Sequence, residues 1–527
     1  MNKRKKNGLL VLIYAIMILL CFGIVMVVDE LRSPAPDVQE TGDGQTGEKP
    51  SVPEEKAEPD REEDNSAPSE TEEEKEPEER NNARTGKSQR NPASSGEEAR
   101  EEIYQPPVIV IQSDVHYFSP DLTDYGEAFE VMLKGDDGKL VNYIPQLMDA
   151  FTSEMEELKP SAVVLSGDLT LNGEKEGHEA LAEKLRILEE KGVKVLVIPG
   201  NHDINNHASA DYFGDEKAEA DGVDPQEFYD IYRRFGYDQA RSRDESSLSY
   251  VYELDGKNWL LMLDSAQYEP VNKVGGRIRE ETLSWMKTQL EEAEQQGITV
   301  IPIAHHNLLK ESILYPDDCT LENSREVIDL LEAYRVPLYI SGHLHLQKTK
   351  RFKPEPGERD DVYHISEVVA DSFAIPPCRY GVLTWTDDSR LTYEAKETDV
   401  EAWAGKQGIT DDNLLHFKEY GTKFLTGVIS SQVYDRIKNL PEEQMRLMAE
   451  LYGDLNKAYC EGLPIDAKEI RSGEAFRLWQ RNLPDSKMFT EIDEILRDTG
   501  LDHNSWEYKL EERRSEDTDE YDGKAQP

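Results

Sequence analysis

Six short runs of apolar residues cross the middle of this chain, and each stops abruptly. They are VIVIQSD (108–114), AVVLSGD (162–168), VKVLVIPGN (193–201), WLLMLDS (259–265), VIPIAHH (300–306) and PLYISGHLH (337–345). Runs this short and this continuously apolar read as strands buried on both faces. Between them Ile144, Leu147, Met148, Phe151 and Met155 recur at helical spacing, as do Leu283, Met286 and Leu290. Buried strands alternating with amphipathic helices indicate a layered α/β domain, expected here over residues 104–398. The stretches VYHISEVVADSF, YGVLTWTDD and RLTYEAKE read as its β-rich finish.

On either side the character changes, and 527 residues are in any case too many for one compact core. Beyond Asp399, DDNLLHFKEYGTKFLTGVI, PEEQMRLMAELYGDLNKAYC and SKMFTEIDEILRDTG carry helical periodicity, so a small all-α domain is expected over 399–510. A disordered tail is expected over 511–527. Residues 29–103 are rich in Glu, Pro, Ser and Gly, with too few apolar side chains to offset the entropy of ordering. They read as an acidic disordered linker. Before them, a basic N-terminus (1–7) precedes GLLVLIYAIMILLCFGIVMVV (8–28), long enough to cross a bilayer as a helix. The expectation is a single-pass membrane anchor, with the basic flank cytoplasmic and the rest of the chain outside, as in a bacterial cell-surface protein. A cleaved secretory signal is the competing reading, but its apolar core would be shorter and no small-x-small cleavage site is evident.

Charge and cysteine usage exclude several classes. With 108 acidic against 60 basic residues the net charge is -48, so the chain repels a polyphosphate backbone and no nucleic-acid partner is expected. A small anionic substrate is compatible with that charge where bound cations supply local positive potential. Cys21, Cys319, Cys378 and Cys460 form no CxxC pair, and no disulfide framework is visible.

Five of the apolar runs release a distinctive set of polar residues: Asp114 with His116, Asp168, Asn201 with His202, His305 with His306, and His343 with His345. In open α/β sheets, ligands bind beyond the carboxyl ends of the strands, so the fold would gather these groups at one edge. The chain has 11 histidines, and these segments hold six of them. Imidazoles and carboxylates without thiolates suit iron, manganese, zinc or cobalt better than magnesium. Singly, an Asp-x-His or a Gly-Asp after a strand is weak, because Asp favours turns and caps. GNHD is more specific, since three adjacent polar residues have no packing purpose. All five in this order make a strong signal.

The ordered pattern DxH, GD, GNHD, H and GHxH resembles the calcineurin-like metallophosphoesterases, and the resemblance covers Pro106 to Glu397. It implies a four-layer α/β/β/α sandwich with two divalent or trivalent metal ions. One would be held by Asp114, His116 and His345, the other by Asn201, His305 and His343, with Asp168 bridging them. His202 would be the catalytic histidine rather than a ligand. Two cations about 4 Å apart can grip a phosphate and lower the pKa of a water between them to near neutrality, and that water then attacks phosphorus in line. His202 would stabilise developing charge or protonate the leaving group. Asp203 would orient His202 or cap the turn. The first histidine of such a pair is the usual ligand, which assigns His305. His306 is left to sit behind the ligands or touch substrate. Asn307 stands where many relatives carry proline. His178 and His207 read as surface and loop residues.

SDVHYFSPDLTDYGEAF, SGDLTLNGEKEGHEAL, GNHDINN and SLSYVYELDGKNWLLMLDSAQY are similar to the bacterial class III cyclic nucleotide phosphodiesterases, some of which carry a C-terminal helical domain. This implies a small phosphodiester substrate, a 3′,5′-cyclic nucleotide above others. Asn172 and Asn206 would line the pocket or shape turns. The alternatives are a phosphomonoesterase, a hydrolase of envelope phosphodiesters that an outward-facing enzyme would meet, and a non-catalytic metal-stabilised surface binding protein. The sequence leaves the oligomeric state open.

Overall fold

The strands follow one another as β1 Val108–Gln112, β2 Ala162–Ser166, β3 Val195–Ile198, β4 Ala210–Phe213, β5 Glu216–Glu219, β6 Ser242–Arg243, β7 Tyr250–Asp255 and β8 Asn258–Leu263. They continue as β9 Thr299–Ala304, β10 Leu338–Ser341, β11 Lys348–Arg351, β12 Ser366–Val369, β13 Arg379–Asp387, β14 Arg390–Glu397 and β15 Ser505–Lys509. The helices of the sandwich are α1 Glu127–Gly135, α2 Ile144–Leu158, α3 Lys175–Glu190, α4 Pro225–Tyr232, α5 Glu280–Gln296 and α6 Ser324–Ala333. After it come α7 Val400–Gln407, α8 Asp412–Leu415, α9 Phe417–Arg436, α10 Glu442–Cys460, α11 Ala467–Ser472, α12 Glu474–Asn482 and α13 Lys487–Asp498. This computed structural model describes residues 105–310, 319–353, 364–387, 390–437, 439–498 and 500–510. The expected anchor, acidic linker and tail lie outside the described residues. Among the described residues no helix is long and apolar enough to cross a membrane.

Two mixed sheets carry the sandwich, in the orders β15-β14-β13-β1-β2-β3 and β11-β12-β10-β9-β8-β7-β6. Strands β1, β2 and β3 are parallel neighbours, and so are β8 with β9, β9 with β10, and β10 with β12. The side-chain alternation of β8 shows the layering. Leu260 and Met262 join the central core with Val110, Val164, Val197 and Ile303, whereas Trp259, Leu261 and Leu263 join a second cluster with Met286 and Leu290 of α5 and Val327 and Leu331 of α6. Successive residues of a strand face opposite sides, so a strand packed on both must be apolar throughout. On the far face of the first sheet, α2 packs Phe151 edge-on against Phe373 and Tyr380. The order helix, sheet, sheet, helix is the expected four-layer architecture.

The C-terminal helices close around Met448, Tyr452, Leu455, Trp479, Ile492 and Ile495, and they share that core with Leu344, Leu346, Val369 and Ile375 of the sandwich. Trp479 is fully buried and donates its indole N–H to the Met448 carbonyl at 2.9 Å. Trp479→Ala is expected to destabilise the protein by about 3–5 kcal/mol through lost burial and the cavity left behind. Equilibrium urea unfolding measures this, and an unchanged midpoint would contradict the packing.

Three features depart from the sequence reading. The region expected to be all-α, 399–510, is not helical throughout. Residues 505–509 form β15, which pairs antiparallel with β14 and makes the helical region an excursion from the first sheet. The helix expected over 411–429 is broken at His416 into α8 and α9. A hairpin, β4 with β5, stands in the loop that follows β3.

Candidate metal centre

The polar ends of β1, β2, β3, β9 and β10 converge at one edge of the two sheets. Ligand-capable atoms of Asp114, His116, Asp168 and His345 lie within 4.8 Å of one another, and so do those of Asp168, His305 and His343. Asp168 belongs to both groups. Asn201 completes the second, with Oδ1 at 3.1 Å from His305 Nε2.

The donors are held by strained backbone. Asp114, His116, Asp168, His343 and His345 have φ values of 51°, 45°, 49°, 71° and 52°, in the left-handed region that L-residues rarely occupy. Such strain persists where surrounding structure over-determines it, which here aims side chains of adjacent loops at one point. Gly200 serves the same convergence: a Cβ there would sit 2.2 Å from Asp168 Oδ1.

The protonation pattern indicates what the cluster is built to hold. His305 Nδ1 donates to the Ser166 carbonyl at 3.0 Å, which in the neutral ring leaves Nε2 with a lone pair. That nitrogen faces Asp168 Oδ2 at 3.2 Å, Asn201 Oδ1 at 3.1 Å and His343 Nδ1 at 3.2 Å. Likewise His345 Nδ1 donates to Asp137 Oδ2 at 3.0 Å, turning Nε2 toward Asp114 Oδ1 at 3.3 Å and His116 Nε2 at 3.0 Å. Lone pairs facing lone pairs in a buried space call for a cation between them. The electrostatics favour positive charge in the same space: burial opposes the charged imidazolium of His305, yet Asp168 holds it up at about 9, so an ion there would replace the Nε2 proton. His345 is held at about 10 against burial by Asp114 and Asp137.

His202 stands beside the cluster rather than in it. Its amide donates to Asp168 Oδ1 at 2.8 Å, and its side chain remains 24% exposed. Nδ1 donates to the Leu171 carbonyl at 2.8 Å, with Asn172 Oδ1 at 3.2 Å, which turns Nε2 toward Asp168 Oδ2 at 4.0 Å. Of the two roles open to Asp203, the structure shows turn capping. Its carboxylate accepts from the Gly200 amide at 2.8 Å and from the Thr170 amide and hydroxyl at 3.0 and 3.1 Å.

His306 turns both ring nitrogens away from the cluster, toward Ser265 Oγ (2.8 Å) and the Val274 carbonyl (2.9 Å). Asn307 donates to Ser341 Oγ and the Gly342 carbonyl at 2.8 and 3.0 Å, tying its loop to that of His343. Asn206 supports the turn by donating to the His202 carbonyl. With Asn205, the exposed His207 and Asn272 it also lines a cavity of about 520 Å³.

His178 is a correction. It is fully buried, not on the surface, with Nε2 at 2.9 Å from the Asp203 carbonyl and Nδ1 at 3.0 Å from the Tyr232 hydroxyl. Burial lowers its pKa to about 4, so it stays neutral behind the GNHD turn. Its spacing from Leu181, Leu185 and Leu188, all on the buried face of α3, was the available signal. Two other supports carry no sequence signal. Asn272 donates to the carbonyls of Asn201 and Ile204, both at 2.8 Å, and Asp137 holds His345. Neither lies in a motif.

Residues 107–347 match the calcineurin-like phosphoesterase family. Those residues carry a calcineurin-like phosphoesterase domain. Residues 399–502 match a second family, described as the C-terminal domain of cyclic nucleotide phosphodiesterase. Among curated relatives of the chain, a probable glycerophosphodiester phosphodiesterase from Arcobacter nitrofigilis is 29% identical over 193 residues, 36% of this chain and 59% of that one. A probable cyclic nucleotide phosphodiesterase from Vesicomyosocius okutanii is 23% identical over 194 residues, 37% of this chain and 66% of that one. The similarity thus spans less than two thirds of either relative. A solved dimetal phosphatase from Danio rerio shares 13% identity at a TM-score of 0.38, over 56% of this chain and 97% of its own.

Proposed function

We propose that this phosphoesterase hydrolyses phosphodiesters at the converging strand ends, with 3′,5′-cyclic nucleotides as substrate. The observation that carries the reading is the buried set of facing lone pairs that shares Asp168, with the half-open His202 at its side. Asp114, His116 and His345 would hold one ion, Asn201, His305 and His343 the other, and Asp168 both. When bound, such ions neutralise phosphate oxygens and make water a nucleophile near neutral pH. Asn201 contributes an oxygen without adding negative charge, which favours an anionic substrate. His202, its tautomer set by Leu171, presents Nε2 for proton transfer to the leaving oxygen.

The cyclic nucleotide assignment is supported by the match over residues 399–502 and by the name of the Vesicomyosocius relative. A second reading, glycerol-type or envelope phosphodiesters, is supported by the name of the Arcobacter relative. It also suits the proposed localisation, anchored through residues 8–28 with the catalytic region outside the cytoplasm. The test compares cyclic AMP, glycerophosphoethanolamine, bis-p-nitrophenyl phosphate and p-nitrophenyl phosphate with manganese, with a chelator as control. Chelator-sensitive turnover of cyclic AMP and the aryl diester is the expected result. Preference for the glycerol diester moves the substrate to the second reading, and cleavage of the monoester alone makes this a phosphatase. No hydrolysis with manganese, zinc, cobalt or iron would overturn the enzymatic reading in favour of a binding protein.

A further inference from the structure

We infer that the C-terminal helical region tunes the metal centre, and that Asp137 is the positioning residue through which it acts on His345. The inference rests on the proposed binding of ions by the cluster. It concerns a loop, Asp136–Tyr143, that belongs to none of the motifs.

Asp137 is buried and shared between two partners. Its Oδ2 accepts from His345 Nδ1 at 3.0 Å, and its Oδ1 from Lys139 Nζ at 2.6 Å. Lys139, also buried, reaches Asp136 Oδ1 at 3.1 Å. A carboxylate on the far nitrogen of a ligating imidazole fixes its tautomer and orientation and raises its basicity. Asp137 does this from a loop, and a loop holds a geometry only as well as it is itself held.

The helical region holds it. Gln432 of α9 donates to the Asp136 carbonyl at 3.2 Å, and Asn142 donates to the Tyr420 hydroxyl at 3.2 Å. Tyr143 donates to Asp411 at 3.2 Å, accepts from Asn413 at 2.9 Å, and stacks edge-on against Tyr420. Between these anchors Gly138, at φ +99°, lies so close to α9 that a Cβ would stand 2.5 Å from Leu425 Cδ1. The backbone of His345 is gripped from the same side. Leu344 and Leu346 pack in the helical core, and the Gln347 amide donates to the Cys460 carbonyl at 2.8 Å. The described contacts of His305 and Asn201, in contrast, are all with sandwich residues. The influence of the helices therefore falls on the ion that His345 would share with Asp114 and His116.

The experiment titrates manganese into the metal-free full-length protein by calorimetry, and records the absorption of the cobalt(II) form. Wild type is expected to take up two ions. Asp137→Ala should bind one of them about 10–100-fold more weakly with an altered cobalt spectrum. Asp137→Asn keeps an acceptor oxygen for His345 and should fall between. The remote pair Gln432→Ala/Tyr420→Phe should weaken the same ion several-fold. Unchanged affinity and spectrum in both Asp137 variants would overturn the assignment of Asp137, and if the alanine variant fails to fold, Asp137→Asn alone decides. A remote pair identical to wild type would overturn the part given to the helices. A wild-type protein that binds fewer than two ions would instead sink the two-ion reading beneath the inference.

Discussion

Asp168→Asn is expected to abolish hydrolysis and metal binding together. Its two oxygens have separate obligations: Oδ1 accepts the His202 amide at 2.8 Å, and Oδ2 faces His305 Nε2 at 3.2 Å and His116 Nε2 at 3.9 Å. An asparagine of the same size supplies one acceptor. Turned one way, its amide nitrogen donates to His305 and takes the lone pair that an ion needs. Turned the other way, it meets the His202 N–H donor to donor. Burial makes either mismatch costly, because no water can relieve it. Ions in such sites stabilise developing charge by several kcal/mol, so the loss in kcat should reach at least about 10³-fold. Elemental analysis of the purified variant beside a rate assay checks both halves. A variant that retains two ions and near-normal turnover would refute the shared role of Asp168.

His202→Ala has the opposite signature. The imidazole is not among the clustered donors, and its Nε2 stands 4.0 Å from Asp168 Oδ2. Its removal should leave metal content intact while lowering kcat about 10²–10⁴-fold, the range for a lost proton-transfer group. The deficit should shrink for a substrate with a good leaving group, such as a p-nitrophenyl diester, which needs little protonation. Equal loss for good and poor leaving groups would argue against proton donation. Loss of the ions would place His202 among the ligands instead. The Leu171 carbonyl also makes a subtler point testable. A His202→Gln variant can still present a polar atom but cannot shuttle a proton, and it should be as slow as the alanine variant.

The two variants separate binding from proton transfer, and the separation follows from chain position. Asp168 stands two residues beyond the end of β2, the strand that lies between its parallel neighbours β1 and β3. His202 comes four residues after β3 has ended at Ile198, in a turn fixed by Asp203, His178 and Asn272. The turn is built outward from buried hydrogen bonds, and this allows one histidine to remain partly exposed beside groups that are not.

Much of this was legible in the sequence because strand ends are local. The continuous apolar runs demanded strands buried on both faces, and the polar residues that end them could only emerge at the carboxyl edge. The order of Asp114, His116, Asp168, Asn201, His305, His343 and His345 is therefore by itself the signature of a cluster. Periodicity also placed α10 and α13 to within a residue or two of their limits. The spacing of His178 from Leu181 and Leu185 likewise belongs to the inward face of α3.

What only the tertiary structure decided were the relations between distant segments. The resemblance already assigns His305 over His306, but its physical reason lies in hydrogen bonds to Ser166 and Ser265, 139 and 41 residues away. Asp203 caps turns rather than orienting His202, because Thr170 and Gly200 reach it first. The return of residues 505–509 to the first sheet depends on the unpaired edge of β14, which no feature of SWEYK declares. Asp137 meets His345 across 208 residues, through a loop whose position is set by α9. Sequence determines which side chains a strand or helix presents, since that periodicity is a property of the local backbone. Packing determines which of them meet, since that depends on where the rest of the chain has gone.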